Sequence, residues 1–261
     1  MATGKDSPVA APLVGFAVDR YPFAMPLSLT IAELVPRFPN FRVAILVCED
    51  LTVAAERPAA LAALIAEREA AARALYGGRE LADIPGIASW RAAYKGFGIK
   101  KTSYRCSVER LMKNALAERP LPAINAFVDA YNAVSLRAVA CIGADDLDKA
   151  TDPFAFRFSR PGDSFIDMGA EAGEDPNDPP KDGEVVYADA THVLCRRWNW
   201  RQDARTIITP ETRRAVLTIQ THGWGELNAA VADAVDLLGR FCGARVAVGI
   251  AEARHPTVTV G

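Results

Sequence analysis

Six consecutive residues, Arg196, Arg197, Trp198, Asn199, Trp200 and Arg201, put three cations, two indoles and one amide directly after a short apolar run at residues 192–195. Such groups are costly to bury unless paired. Guanidinium planes beside aromatic faces suit stacking on bases and gripping phosphates. The same residues also suit a strand end whose arginines pair with Asp189 and Asp203 while the indoles fill a core gap. A second interleaved stretch has Lys95, Lys100, Lys101, Arg105 and Arg110 around Tyr94, Phe97 and Tyr104. Gly96 and Gly98 would let a ligand backbone come close there, and the alternative is a solvated loop with its aromatics tucked in. A third constellation is a row of short polar side chains, Asn125, Asp129 and Asn132, at helical spacing beside an apolar stripe of Ile124, Phe127, Val128, Tyr131 and Ser135. Polar groups at the border of a core must find partners, so this row holds neighbouring loops or lines a cleft.

The elements that must position these groups follow from apolar periodicity. Residues 41–47 read as a buried strand and residues 54–76 as a long amphipathic helix that Gly77 and Gly78 stop. Residues 84–94 form a short helix with Pro85 near its start. Helices follow with Val108, Leu111, Met112 and Ala115 on one face, and over residues 123–136. Residues 145–148 read as a turn or short helix. Phe154, Phe156 and Phe158 alternate in a half-buried strand. Residues 171–184 hold six acids, one lysine and three prolines, the composition of a mobile surface loop. Strands at 184–188 and 215–220, a helix ended by Gly243 and a last strand through Val246, Val248 and Ile250 complete the chain. Strands and helices do not alternate regularly, so the expected class is α+β, with mixed sheets flanked by helices.

Bulk composition sets outer bounds. A chain of 261 residues, 50% hydrophobic and 24% charged, suits a folded soluble protein. A net charge of −2 excludes a general nucleic-acid glue, so any RNA contact needs a local basic patch. Cys48, Cys106, Cys141, Cys195 and Cys242 lack metal-ligand spacing, and free thiols in a reducing cytosol are expected. His192, His222 and His255 form no metal-binding pair. No metal, cofactor or membrane span is expected, and the oligomeric state is left open. Residues 1–12 read as a disordered tail and 13–261 as one domain, with an N-terminal lobe over about 13–85.

The run L-P-A-I-N-A-F-V-D-A-Y-N-A-V-S-L, followed by A-D-D-L-D, closely resembles a segment of the editing domain of the phenylalanyl-tRNA synthetase beta subunit, the B-three/B-four module. Asn125, Val128, Asp129, Asn132, Val134, Leu136, Asp146 and Asp148 match that segment without a gap. Residues 154–163, 185–189 and 212–220 resemble later strands of the same domain, so the resemblance covers about residues 90–250. The R-R-W-N-W-R run is similar to a signature of stand-alone members of the family, so a free-standing member without synthetase parts is expected.

The resemblance implies a trans-editing deacylase that hydrolyses the ester of a mischarged tRNA. One member of the stand-alone group acts on canavanyl-tRNA for arginine, and that is the first substrate expectation. It implies site roles as well: Asn125, Asp129, Asn132 and Gln220 orient the aminoacyl group or a water, and Tyr131, Gly143, Asp189, Cys195, Arg197, Trp198 and Thr218 wall the pocket. Lys95, Lys100, Lys101, Tyr104, Arg105, Arg196, Trp200 and Arg201 meet tRNA, with Trp198 or Trp200 on the terminal adenine. At Tyr131, Gly143, the 195–198 run and Thr218 or Gln220 the residues differ from the synthetase pocket, which argues against tyrosine on phenylalanine tRNA. The partner expected is charged tRNA and the compartment cytoplasmic. The rival readings are a tRNA-binding module without catalysis, a deacylase for another amino acid, and a small-molecule or peptide hydrolase on the same fold.

Overall fold

A computed structural model describes residues 23, 25–100, 104–170, 173 and 175–261. The expectations for the 1–12 tail and for Lys101 lie outside those residues. In chain order the elements are β1 (Leu27–Thr30), β2 (Phe41–Glu49), α1 (Ala59–Tyr76), α2 (Pro85–Gly96), α3 (Ser107–Leu116), α4 (Ala126–Ala138), β3 (Cys141–Asp146), β4 (Phe154–Phe158), β5 (Val185–Ala188), β6 (Val193–Arg196), β7 (Arg201–Gln202), β8 (Ala215–His222), α5 (Leu227–Cys242), β9 (Arg245–Ala251) and β10 (Thr257–Val260). Two sheets form, one of six strands in the order β10-β1-β4-β5-β6-β7 and one of four in the order β3-β8-β2-β9. The four-stranded sheet is antiparallel throughout, while β1 runs parallel to β4 in the other. The class is α+β, as the irregular order of elements implies.

Register decides what each face of the four-stranded sheet does. Thr218 lies opposite Gly143 and Ile45, and Gln220 opposite Cys141 and Val43. Alternate residues share a face, so Gly143, Asp145, Thr218, Gln220 and Phe41 all look the same way. Phe41 meets Phe156 and Trp198, at 5.2 and 4.9 Å between ring centroids, so that way is toward the six-stranded sheet. The opposite face carries the helices. α4 and α5 pack on each other, and α5 covers β2 and β8.

Several boundaries differ from the periodicity reading, each for a local reason. α1 begins at Ala59 and not at residue 54, because the residue before a proline disfavours helical backbone and Pro58 takes the cap position. α4 begins at Ala126, and Asn125 is its cap: the side chain accepts a hydrogen bond from the Val128 N–H at 3.0 Å. Residues 145 and 146 close the strand β3, so the turn expected over 145–148 is confined to 147–148, and β1 and β10 are four-residue strands too short to show an alternation. Glu184 closes the acidic loop and is buried, not solvated.

The two sheets are joined through Trp198. Its indole is fully buried, with edge-on rings of Phe38 at 4.8 Å, Phe41 at 4.9 Å and Trp90 at 5.3 Å. Arg197 and Trp198 both have positive φ, 47° and 69°. Left-handed backbone costs a non-glycine residue roughly 1–2 kcal/mol, so burial of the indole must outweigh two such penalties. Trp198→Ala is expected to destabilise the fold by about 3–5 kcal/mol, read as a shift in the denaturant midpoint. A loss under ~1 kcal/mol would mean that the indole does not join the sheets.

Candidate functional site

A hollow of about 420 Å3 lies between the two sheets beside α3 and α4. Tyr131 and Asn132 face it from α4, Gly143 and Asp145 from β3, and Thr218 and Gln220 from β8. Cys195, Asn199, Trp200 and Arg201 close it from the six-stranded sheet. A side-chain chain runs along its floor. The Tyr94 hydroxyl donates to Asn199 Oδ1 at 2.8 Å, Asn199 Nδ2 donates to Gln220 Oε1 at 3.1 Å, and Gln220 Nε2 donates to Thr218 Oγ1 at 3.1 Å. These bonds fix the Gln220 amide and leave one of its two N–H groups to give. Asn132 is half-buried on the adjoining wall, with no side-chain partner among the described residues. Gly143 opens onto free space, since a Cβ built on it would meet nothing within 4 Å.

Two hydroxyls of the lining, Ser107 Oγ and Tyr187 Oη, are buried without a hydrogen-bond partner. Leaving such a group unpaired costs about 1–3 kcal/mol. Asp145 is 3% exposed, and its Oδ1 accepts from Gln202 Nε2 at 2.9 Å and from Thr206 Oγ1 at 2.6 Å. Burial pushes this carboxyl up to about 7, and the two hydrogen bonds pull back only part of the way. Burial likewise raises Tyr131, Tyr187 and the Cys195 thiol. All five cysteines are free, and only Cys195 is less than fully buried.

The R-R-W-N-W-R run divides between core and hollow. Arg196 is fully buried, clamped by Glu184 at 2.5 Å and by the Asp178 carboxylate and carbonyl. Arg197 lies 3.9 Å over the Tyr104 ring and 4.4 Å over that of Trp200, with Glu184 3.7 Å away and its Nη1 unpaired. Burial lowers its pKa more than Glu184 raises it. Asn199 joins the floor, and half-buried Trp200 lines the hollow between Arg197 and Arg201, whose guanidinium is 4.5 Å from the indole. Arg201 is held by Asp167.

A second depression of about 250 Å3 lies at the start of α3, lined by Lys95, Ile99, Lys100, Tyr104, Arg105 and Glu109 among others. Glu109 takes both Arg91, at 2.6 Å, and Arg105, at 3.0 Å. Lys95, Lys100 and Arg110 stand exposed, with no ion pair among the described residues.

Six residues assigned to the site line neither depression: Asn125, Asp129, Asp189, Arg196, Arg197 and Trp198. Asn125 caps α4 and donates to the Ile208 carbonyl at 3.1 Å. Asp129 is fully buried between Arg57, at 2.8 Å, and the Ile124 N–H, at 3.0 Å. Asp189 accepts backbone N–H groups of Thr151, Thr191 and His192; burial opposes its ionisation, but these bonds prevail and hold it below the usual carboxylate range. It holds a loop and does not reach Arg197. Trp198 and Arg196 are core. Conversely Ser107, Asp145, Tyr187, Asn199 and Gln202 are wall residues that the sequence reading did not assign. The alternation of C-I-G-A-D would have put Asp145 on the face of Gly143 had residues 141–146 been read as a strand.

The raised Asp145 carboxyl makes a signed prediction. Between about 3.8 and about 7 the unfolded chain ionises this group and the folded chain does not. Its contribution to stability is therefore full below that window and is lost as pH rises through it. Thermal unfolding from pH 4 to pH 8 should show the wild type losing stability relative to Asp145→Asn. A parallel pair of curves would show that Asp145 titrates normally.

A family model described as the B3/4 domain matches residues 89–223, just over half of the 261. No curated protein matches. Among solved structures, an N-terminal fragment of the phenylalanyl-tRNA synthetase beta subunit from Pyrococcus horikoshii is similar at 14% identity and a TM-score of 0.42. The alignment covers 84% of this chain and 50% of that fragment, so the chain spans about half the fragment's length. Among the described residues no helix is long and apolar enough to cross a membrane, and no cluster of His, Cys, Asp and Glu could hold a metal ion. With the match running from α2 through β8, the strands and helices that wall the hollow, the chain belongs to the B3/4 domain family.

Proposed function

We propose that this chain hydrolyses the ester of a mischarged aminoacyl-tRNA, with the aminoacyl group seated in the hollow between the sheets. The observation that carries this reading is convergence. Asn132, Gly143, Cys195, Trp200, Thr218 and Gln220 come from four separate stretches of sequence and share one cavity of about 420 Å3. That is the size of a small-ligand pocket.

The chemistry needs little covalent help. A water oxygen bonds to the ester carbon, the bond to the ribose oxygen breaks, and one water proton passes to that leaving oxygen. Positioning and oxyanion stabilisation are what the protein must supply. In this reading Asn132 and the spare N–H of Gln220 hold the water or the developing oxyanion, and Ser107 Oγ is a further donor. Trp200 stacks on the terminal adenine, as the indole of the run that stands on the hollow. Lys95, Lys100 and Arg110 take phosphates, being uncommitted cations beside it. Asn125 and Asp129 keep α4 in place. Canavanyl-tRNA for arginine is the first substrate to test, because it differs from the cognate by polarity more than by volume, and a placed polar group separates such a pair better than shape does.

Deacylation of a panel of mischarged tRNAs tests the reading. Gln220→Ala should lower kcat roughly a hundred-fold on the preferred substrate, the usual scale for one oxyanion donor. Gly143→Leu, whose Cβ would meet nothing within 4 Å, should occupy the hollow, abolishing turnover while changing the unfolding midpoint little. Full activity of Gly143→Leu would move the site elsewhere. Binding of charged tRNA with no turnover of any member would make the chain a binding module.

A further inference from the structure

One group on the wall of the hollow is used neither by the fold nor by the chemistry above: the free half of the Asp145 carboxylate. Both of its hydrogen bonds fall on Oδ1, and Oδ2 has no partner among the described residues. Among the buried carboxylates of the described residues, Asp189, with both oxygens on backbone N–H groups, and Glu69, which accepts from the Leu121 N–H, hold no arginine or lysine, while Glu49, Glu109, Asp129, Asp146, Glu184 and Asp203 each hold one. Asp145 holds none. The cations that line the same hollow are not placed for it: Arg201 is taken by Asp167, and Arg110 is exposed. A buried carboxylate that faces a cavity without a cation is costly as an anion unless a guest brings the charge.

We propose that the hollow selects for a positively charged aminoacyl group, and that Asp145 is the specificity residue that receives its protonated nitrogen. This rests on reading the hollow as the aminoacyl site. The shared chemistry is a nitrogen cation, carried either by the side chain or by the α-ammonium. The empty site fits the role energetically. Burial, with Asp203 and Asp189 adding to it, keeps Asp145 largely protonated up to about 7. Tyr131, Tyr187 and Cys195 beside it stay neutral through burial. A cation entering the hollow favours the ionised carboxylate, so binding releases a proton below that pH and strengthens as pH rises.

Calorimetric titration of the full chain with three small amides decides the matter. Nα-acetylargininamide carries only the side-chain cation, norvalinamide only the α-ammonium, and Nα-acetylcitrullinamide neither. At about pH 7.5 at least one cationic amide should bind roughly ten-fold or more tightly than the citrulline compound. The advantage should shrink at about pH 6, with proton release seen as a buffer-dependent heat. Whichever cation wins identifies the source. Asp145→Asn should erase the preference; if that variant does not fold, the pH dependence of the wild type carries the test. Equal binding of all three, no binding of any, or a preference that survives Asp145→Asn overturns the inference. Charge-blind binding alongside turnover of charged tRNA would refute only this inference. Charge-selective binding with no turnover of any charged tRNA would uphold Asp145 and refute the deacylase reading.

Discussion

The burial of Trp198 between the two sheets is the constraint on which the other features depend. The indole can reach Phe38, Phe41 and Trp90 only if the backbone at Arg197 and Trp198 turns left-handed. That turn needs anchors, and it has them. The Trp198 N–H donates to the Val185 carbonyl at 2.6 Å, and Arg196 is locked onto Glu184. Once the turn is set, the next residues have no choice. Asn199 meets Tyr94 and Gln220, and Trp200 emerges on the hollow between two guanidiniums. Core packing and site geometry are thus one event: the residue that seals the sheets also sets the two that face the hollow.

At the hollow the fold gives up stability. A wall selected only for folding would pair Ser107 Oγ, Tyr187 Oη and Asp145, or replace them with apolar groups of similar shape. It would also fill the space over Gly143. Around the hollow the neighbouring helices and loops pair their polar groups closely, as Glu109 does with Arg91 and Arg105 and Asp203 with Arg205. At the hollow, on the face where both sheets look toward each other, two unpaired hydroxyls and unfilled volume meet.

Much of this was legible in the sequence, and the rest was hidden for physical reasons. The long strands and helices announced themselves because their apolar periods persist over several turns or alternations, as in β2, β8 and α5. The strands β1 and β10 did not, since four residues carry too little pattern, and their pairing with each other is a long-range fact. The residues Gly143, Thr218 and Gln220 could be assigned because a family resemblance aligned them, not because spacing showed a pocket. Asn125 and Asp129 were assigned with them in error of place: at the N-terminus of a helix the same types of residue cap and anchor, and one-dimensional spacing does not separate capping from lining. Six residues rich in cations and indoles looked like one interface. The left-handed turn at Arg197 and Trp198, and not strand alternation, sends Arg196 and Trp198 inward and leaves Trp200 at the hollow, an outcome that the residue types do not announce.

The central claim is that the space between the sheets receives the charged end of a tRNA. A crystal structure with a non-hydrolysable aminoacyl-adenosine analogue tests it most directly. The account predicts the aminoacyl group between Asn132 and Gln220 and the adenine against Trp200. An analogue lodged elsewhere, with the space beside Gly143 left empty, would contradict it.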